Sequence, residues 1–204
     1  MFELFLFINP IGLYCYDVEQ QLRKAEDELE ITTSVHYLPI LTTQTMSSDI
    51  SRRRCASQML SKPTAYSLIA ENVLHDFHAI KMAYGNKKAR RFLYTIQGIL
   101  ADDGLSFQDG LPRKIAESLG IDWASVELLR SSKYIEDSLA DDLKLADQWQ
   151  IRKTPSTVIF NEANDDSGIL LEGKFEYADL TDIFTQKSQA TWQDQYPVRR
   201  LRLI

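Results

Sequence analysis

Thiol chemistry is the first chemistry this sequence offers, through Cys15 and Cys55. The thiolate is the reactive form of such a group, and neighbouring positive charge favours it. Cys55 directly follows Arg52, Arg53 and Arg54, which supply that charge if they lie close. Two cysteines do not make a disulfide framework. His75 and His78 stand three apart in a helical pattern, with Glu71 four before His75. A metal site needs more ligands than these, and none stands out, so they are expected as surface histidines with no metal. His36 falls in an expected strand, as a packed or solvent-facing residue. Ser47, Ser48 and Ser51 lack the Gly-x-Ser-x-Gly elbow of a serine hydrolase. No Gly-x-Gly-x-x-Gly or P-loop occurs, so no nucleotide and no other cofactor is called for.

Charge narrows the partners. Lys and Arg number 23 against 29 Asp and Glu, and a formal net charge of -6 argues against a general nucleic-acid binder. The local basic clusters, Lys87, Lys88, Arg90 and Arg91 and then Arg199, Arg200 and Arg202, read as a solvated helix face and a charged tail. No run is long and apolar enough to span a membrane. The apolar start, Met1 to Ile8, is too short for a secretory core, lacks a basic lead and carries Glu3. The expectation is a cytoplasmic protein. With 44% apolar and 25% charged residues, the chain can bury a core.

The elements that must position these residues follow from periodicity. Phe2 to Ile8 reads as a buried strand, ended by a turn at Asn9, Pro10 and Gly12. Val18, Leu22, Ala25 and Leu29 put one apolar stripe on a helix from Cys15 to Leu29. Ser34 to Ile40 is a second strand, and the intervening helix implies a parallel crossover. Leu41 to Ser57, polar and rich in Ser and Thr, reads as a loop with a short helix. Helical patterns come next: Ala65 to Tyr84 with Gly85 as C-cap, Phe92 to Leu100 ended by Asp102-Asp103-Gly104, a pair around Ile115 and behind an Asp122 cap, and Tyr134 to Trp149. Thr157 to Phe160 and Ile169 to Leu171 form a hairpin about a polar turn from Asn161 to Gly168, and Tyr177 to Gln186 closes as a helix. The tail from Lys187 to Ile204 shows no clear pattern; Trp192 and Tyr196 in it are expected to pack on the body.

This order, β-α-β, helical block, β-β-α, resembles the α/β thioredoxin-like fold with an all-helical insertion, in its DsbA-like form. Expected domains are 1–44 with 150–187 for the thioredoxin-like unit, 45–149 for the insertion and 188–204 for the tail. Two motifs carry the resemblance. Asn9-Pro10-Ile11-Gly12-Leu13-Tyr14-Cys15-Tyr16 is similar to the family's Asp-Pro-x-Cys-Pro-Trp-Cys-Tyr. Lys153-Thr154-Pro155-Ser156-Thr157-Val158 is similar to the segment before the third strand, whose Pro is cis in the family and packs against the dithiol.

By that resemblance the family's first cysteine falls on Gly12 and its second on Cys15. The first is the attacking thiolate, activated at a helix N-terminus; the second resolves the mixed disulfide. With Gly12 in place the nucleophile is missing. Cys15 is expected about a turn into the helix, feeling less of its field, as a residual catalytic thiol at most. A Cys15–Cys55 disulfide and an inert Cys55 both remain open. The Gly12 turn with Pro10, Tyr14, Thr154 and Pro155 would then serve to bind an anion or an extended peptide.

Within DsbA-like proteins the chain looks most like the YjbH/SpxH group of Gram-positive bacteria. That resemblance implies a non-catalytic adaptor with two protein partners, the transcription factor Spx and ClpX of the ClpXP protease. A kappa-class glutathione transferase or related isomerase is the enzyme alternative, although Gly12 offers no hydroxyl for the glutathione sulfur. A monothiol oxidoreductase or sensor acting through Cys15 is the third.

Overall fold

The computed structural model describes residues 1–55, 63–102, 107, 110–161, 168–185 and 201–203. Strand β1 spans Phe2–Ile8, helix α1 Cys15–Glu28 and strand β2 Thr33–Pro39. The helices α2 Thr43–Cys55, α3 Pro63–Tyr84, α4 Asn86–Asp102, α5 Leu111–Ser118, α6 Trp123–Leu129 and α7 Lys133–Gln148 come next. Strands β3 Ser156–Asn161 and β4 Ile169–Glu172, helix α8 Tyr177–Phe184 and strand β5 Leu201–Leu203 complete the order.

One sheet runs β2-β1-β3-β4-β5. β1 pairs parallel with β2 and antiparallel with β3, which pairs antiparallel with β4. Period-two alternation sends β1 side chains to two separate cores. Leu4, Leu6 and Ile8 join Val18 and Leu22 of α1 and Leu180 and Ile183 of α8. Phe5 and Phe7 face the other way, where Trp149 at the end of α7 meets their rings at 4.9 and 5.8 Å. A strand covered on both faces is apolar throughout, which is why Phe2 to Ile8 shows no polar alternation beyond Glu3. Among the described residues, no helix is long and apolar enough to cross a membrane.

The helical punctuation follows the sequence closely. Gly85 takes φ +83° between α3 and α4, a left-handed conformation a Cβ would disfavour. Asp122 caps α6, accepting from the Ala124 N–H at 3.2 Å and the Ser125 hydroxyl at 2.7 Å.

Three expectations are corrected. Leu41 to Ser57 is not mainly loop, since Thr43–Cys55 is a continuous helix of 13 residues. Its buried side chains are Thr45, Asp49 and Arg53, so an apolar stripe could not reveal it. Its start is tied by Thr42 and Thr45, each backbone N–H donating to the other's hydroxyl at 2.9 and 3.1 Å. The tail contains a strand: β5 pairs antiparallel with β4, Leu203 opposite Ile169. Three residues are too few for alternation to declare themselves. His78 is no surface histidine. It is 1% exposed, because α7 packs over this face of α3. Its Nδ1 lies 2.9 Å from the Ser138 hydroxyl and its Nε2 3.6 Å from Asp142. The Asp103-Gly104 stop, the centre of the 161–168 turn, Gln186, and Trp192 and Tyr196 lie outside the described residues.

Burial disfavours the charged forms of Asp76 and His78 on α3 and of Asp142 on α7. The Asp76 carboxyl is pushed up to about 7, with the Arg130 charge opposing. Asp142 is pushed up to about 6, and His78 is pushed down to about 3, again by burial first. A carboxyl whose folded pKa is raised stabilises the fold fully below its unfolded value near 3.8 and loses that stabilisation as pH rises through about 7. Urea unfolding between pH 4 and 8 is therefore expected to show stability falling through that window. Asp76→Asn is expected to flatten the fall; an unchanged slope in the variant would remove Asp76 from the account.

Candidate functional site

The turn after β1 is built by Asn9. Its Oδ1 accepts from the Ile11 N–H at 3.1 Å, and its carbonyl accepts from the Gly12 N–H at 3.0 Å. Tyr14 then takes φ 70°, which ends the turn and starts α1 at the next residue. Cys15 is thus the first residue of the helix, not a turn inside it as expected; the left-handed Tyr14 moves the helix start forward.

No side chain fits at Gly12. A Cβ there would stand 2.7 Å from Asn9 Cβ and 2.9 Å from Cys15 Sγ. The glycine is therefore a packing requirement of the turn as it stands. Cys15 itself has no exposed surface. Burial pushes its thiol up to about 12, the Asp49 carboxylate adds in the same direction, and a backbone hydrogen bond at Asn9 together with the charges of Arg52 and Arg53 acts against them. Cys55, at the end of α2, is exposed, and both thiols are free.

What occupies this region is a polar cluster from α2 and α3. Asp49, fully buried, accepts from the Leu13 N–H at 2.9 Å, from Arg53 Nε at 2.7 Å and from the Tyr66 hydroxyl. Arg53 also donates to the Ile11 carbonyl, and Tyr66 accepts from Asn9 Nδ2 at 3.2 Å. From α4, Gln97 Nε2 donates to the carbonyls of Asn9 and Pro10 at 3.4 and 3.3 Å. So two of the three arginines before Cys55 serve backbone carbonyls and Asp49, not a thiolate.

Arg52 reaches the other motif, donating to the Thr154 carbonyl across the cis Thr154–Pro155 bond's own residue. The Pro155 carbonyl accepts from the Gly173 N–H at 2.8 Å. Thr154 and Pro155 are buried, as is Pro10. A peptide docking on this edge would have to displace Arg52 from Thr154. Gly12 and Tyr14 differ: both line a cleft of ≈ 190 Å³ together with Leu13, Tyr16, Arg53 and Gln97. Gln97 Oε1, buried beside it, has no hydrogen-bond partner among the described residues. The structure thus gathers Gly12 and Tyr14 at an opening and holds Pro10, Thr154 and Pro155 beneath the surface.

Asp49, Arg52, Arg53, Tyr66 and Gln97 were not singled out as a site in the sequence. Only the Asp49–Arg53 spacing of four on a helix hinted that the two pair. Among the described residues, no group of three or more His, Cys, Asp or Glu could hold a metal ion.

The sheet order, the β1 turn ahead of α1 and the cis-proline loop define a thioredoxin-fold protein. The thioredoxin family model matches residues 5–182, and the chain belongs to that family. Its curated relatives include the ClpXP adapter protein SpxH of Staphylococcus saprophyticus subsp. saprophyticus, 22% identical over 197 residues. That alignment covers 96% of this chain and 69% of the relative. The protein of the same name from Staphylococcus aureus is 22% identical over 186 residues, covering 90% of this chain and 65% of that one. The chain spans about two thirds of the length of these relatives. Among solved structures, DsbA2 of Pseudomonas aeruginosa superposes with a TM-score of 0.60 at 16% identity, covering 92% of this chain and 90% of that one. A 2-hydroxychromene-2-carboxylate isomerase superposes at 0.62 with 12% identity, covering 97% and 100%. At such identities the superpositions show the shared fold.

Two outcomes follow. Iodoacetamide at pH 8 is expected to label Cys55 and leave Cys15 unmodified until urea unfolds the chain, as read by peptide mass spectrometry. Equal labelling of both in the native protein would contradict the burial of Cys15. Gly12→Ala is expected to lower the unfolding free energy by about 1–3 kcal/mol, because Asn9 or Cys15 must move; unchanged stability would show that the turn has room.

Proposed function

We propose that this protein is a non-catalytic adaptor of the cytoplasm that binds an Spx-type transcription regulator and delivers it to the ClpXP protease. The observation that carries the reading is the state of Cys15. A thiol with no exposed surface and a pKa near 12 presents no thiolate to a substrate disulfide, and Gly12 leaves it without the partner that exchange requires. Binding a protein needs neither group. The similarity to SpxH proteins over most of the chain supports the same reading.

The enzyme readings draw less support. Glutathione transfer asks for a hydroxyl or an N–H at the Gly12 position to hold a sulfur; no side chain fits there, and the Gly12 N–H is already given to the Asn9 carbonyl at 3.0 Å. A monothiol sensor asks for an accessible, acidic Cys15.

Affinity capture from a Gram-positive cell extract under reducing conditions tests the proposal, using the chain and its Cys15→Ala variant side by side. Both are expected to recover Spx and ClpX subunits in equal amount. Capture that vanishes with the alanine variant would bring the redox reading forward, and recovery of neither protein would overturn the adaptor reading.

A further inference from the structure

β2 is the edge of the sheet, and among the described residues no strand covers its outer side. Two hydrogen bonds fix which way its backbone faces. The Phe2 N–H donates to the Thr32 carbonyl at 3.1 Å, and the Ile40 N–H donates to the Ile8 carbonyl at 2.9 Å. Alternate residues of a parallel strand bond to the same neighbour, so Ser34, His36 and Leu38 face β1. The backbone groups of Thr33, Val35 and Tyr37 therefore turn outward. Pro39, which has no N–H to offer, falls in the same outward set, where an edge strand tolerates it.

A groove of ≈ 440 Å³ lies along this edge. It draws lining from both faces of the sheet, Phe5 and Leu38 on one and Val35 and Phe77 on the other. The ends of two helices make its wall and carry its charge, with Lys81 of α3 and Lys87 and Arg90 of α4. Of the acidic groups nearby, Glu3 is engaged with His36 at 3.0 Å and Glu19 with Arg23 at 2.9 Å, while the buried Asp142 lies in the field of Lys81. Arg90 is drawn partly toward Glu19, at 3.6 Å. Lys81 and Lys87 make no ion pair among the described residues.

We propose that this groove docks an extended, acidic segment of a partner protein, added to the sheet as a further strand beside β2. Outward amides and carbonyls take the main chain of such a segment. The apolar floor takes β-branched side chains on one face, and the lysines take carboxylates. A chain of net charge -6 that keeps three cations around an open strand edge suits an acidic protein segment better than a nucleic acid, whose binding depends on many phosphate contacts. The inference stands on β2 and its walls, not on the Gly12 cleft or on the identity of any regulator, so it and the adaptor reading fail separately.

The test uses the full chain and a fluorescent peptide of alternating valine and glutamate, about eight residues long. Controls are the valine–lysine counterpart, the glutamate peptide N-methylated at alternate amides, and single-stranded oligothymidylate. Binding of the glutamate peptide is expected by fluorescence polarisation, with amide NMR shifts at Thr33, Val35 and Tyr37. The double variant Lys81→Glu, Lys87→Glu is expected to weaken it roughly tenfold, with circular dichroism unchanged. Absence of binding, equal binding of the lysine or N-methylated peptide, tighter binding of the oligonucleotide, or shifts confined elsewhere would each overturn the proposal. The peptide controls decide the matter on the unmodified chain, whether or not the double variant folds.

Discussion

Asp49 is a carboxylate without exposed surface, and a charge so placed is retained only where its lone pairs are answered. Here they are answered from three directions. The Leu13 N–H comes from the turn after β1, Arg53 from the next turn of the same helix, and the Tyr66 hydroxyl from α3. One side chain therefore ties the turn after β1 to two helices of the block between β2 and β3. Removing either member of such a buried pair leaves the other uncompensated, at a cost of about 3–5 kcal/mol, whereas the pair as a whole adds little net stability. Its consequence is one defined geometry of the turn.

The same cluster decides the chemistry of Cys15. Its place as first residue of α1 favours a thiolate, since the terminal N–H groups and dipole contribute about 0.3–1 kcal/mol and up to about 2 in buried geometry. Burial and the Asp49 charge act the other way and raise the pKa from 9.0 to about 12. That displacement corresponds to about 4 kcal/mol, so burial outweighs the helix terminus. A helix start that would activate a thiol in an open site here only packs one.

The helical block both closes and exposes the sheet. It supplies Arg52 to the Thr154 carbonyl and Gln97 to the carbonyls of Asn9 and Pro10, closing backbone acceptors that an extended ligand would use. It also ends α3 and begins α4 beside β2, where Tyr37 and Leu38 are buried and Thr33 to His36 remain partly exposed along an edge that no described strand pairs. The carbonyls of the turn after β1 and of Thr154 are thus satisfied within the chain, while the outer side of β2 pairs with no described strand.

Most of the elements could be read from the sequence because each announces itself locally. The aromatic run of β1, the stripe of Val18, Leu22 and Ala25, the left-handed Gly85 and the Asp122 cap depend on neighbours within a few residues. The presence of Gly12 rather than a cysteine three residues before Cys15 was equally local. Other features were beyond such reading. α2 buries a polar face, so its partners lie in distant segments and no periodicity marks them; β5 is too short to alternate; His78 became buried only when α7 folded over it. Local propensity and patterning determined the order of strands and helices. The burial of Cys15, the answered charge of Asp49 and the open edge of β2 were decided by tertiary structure, because desolvation and charge pairing depend on which distant segments pack together.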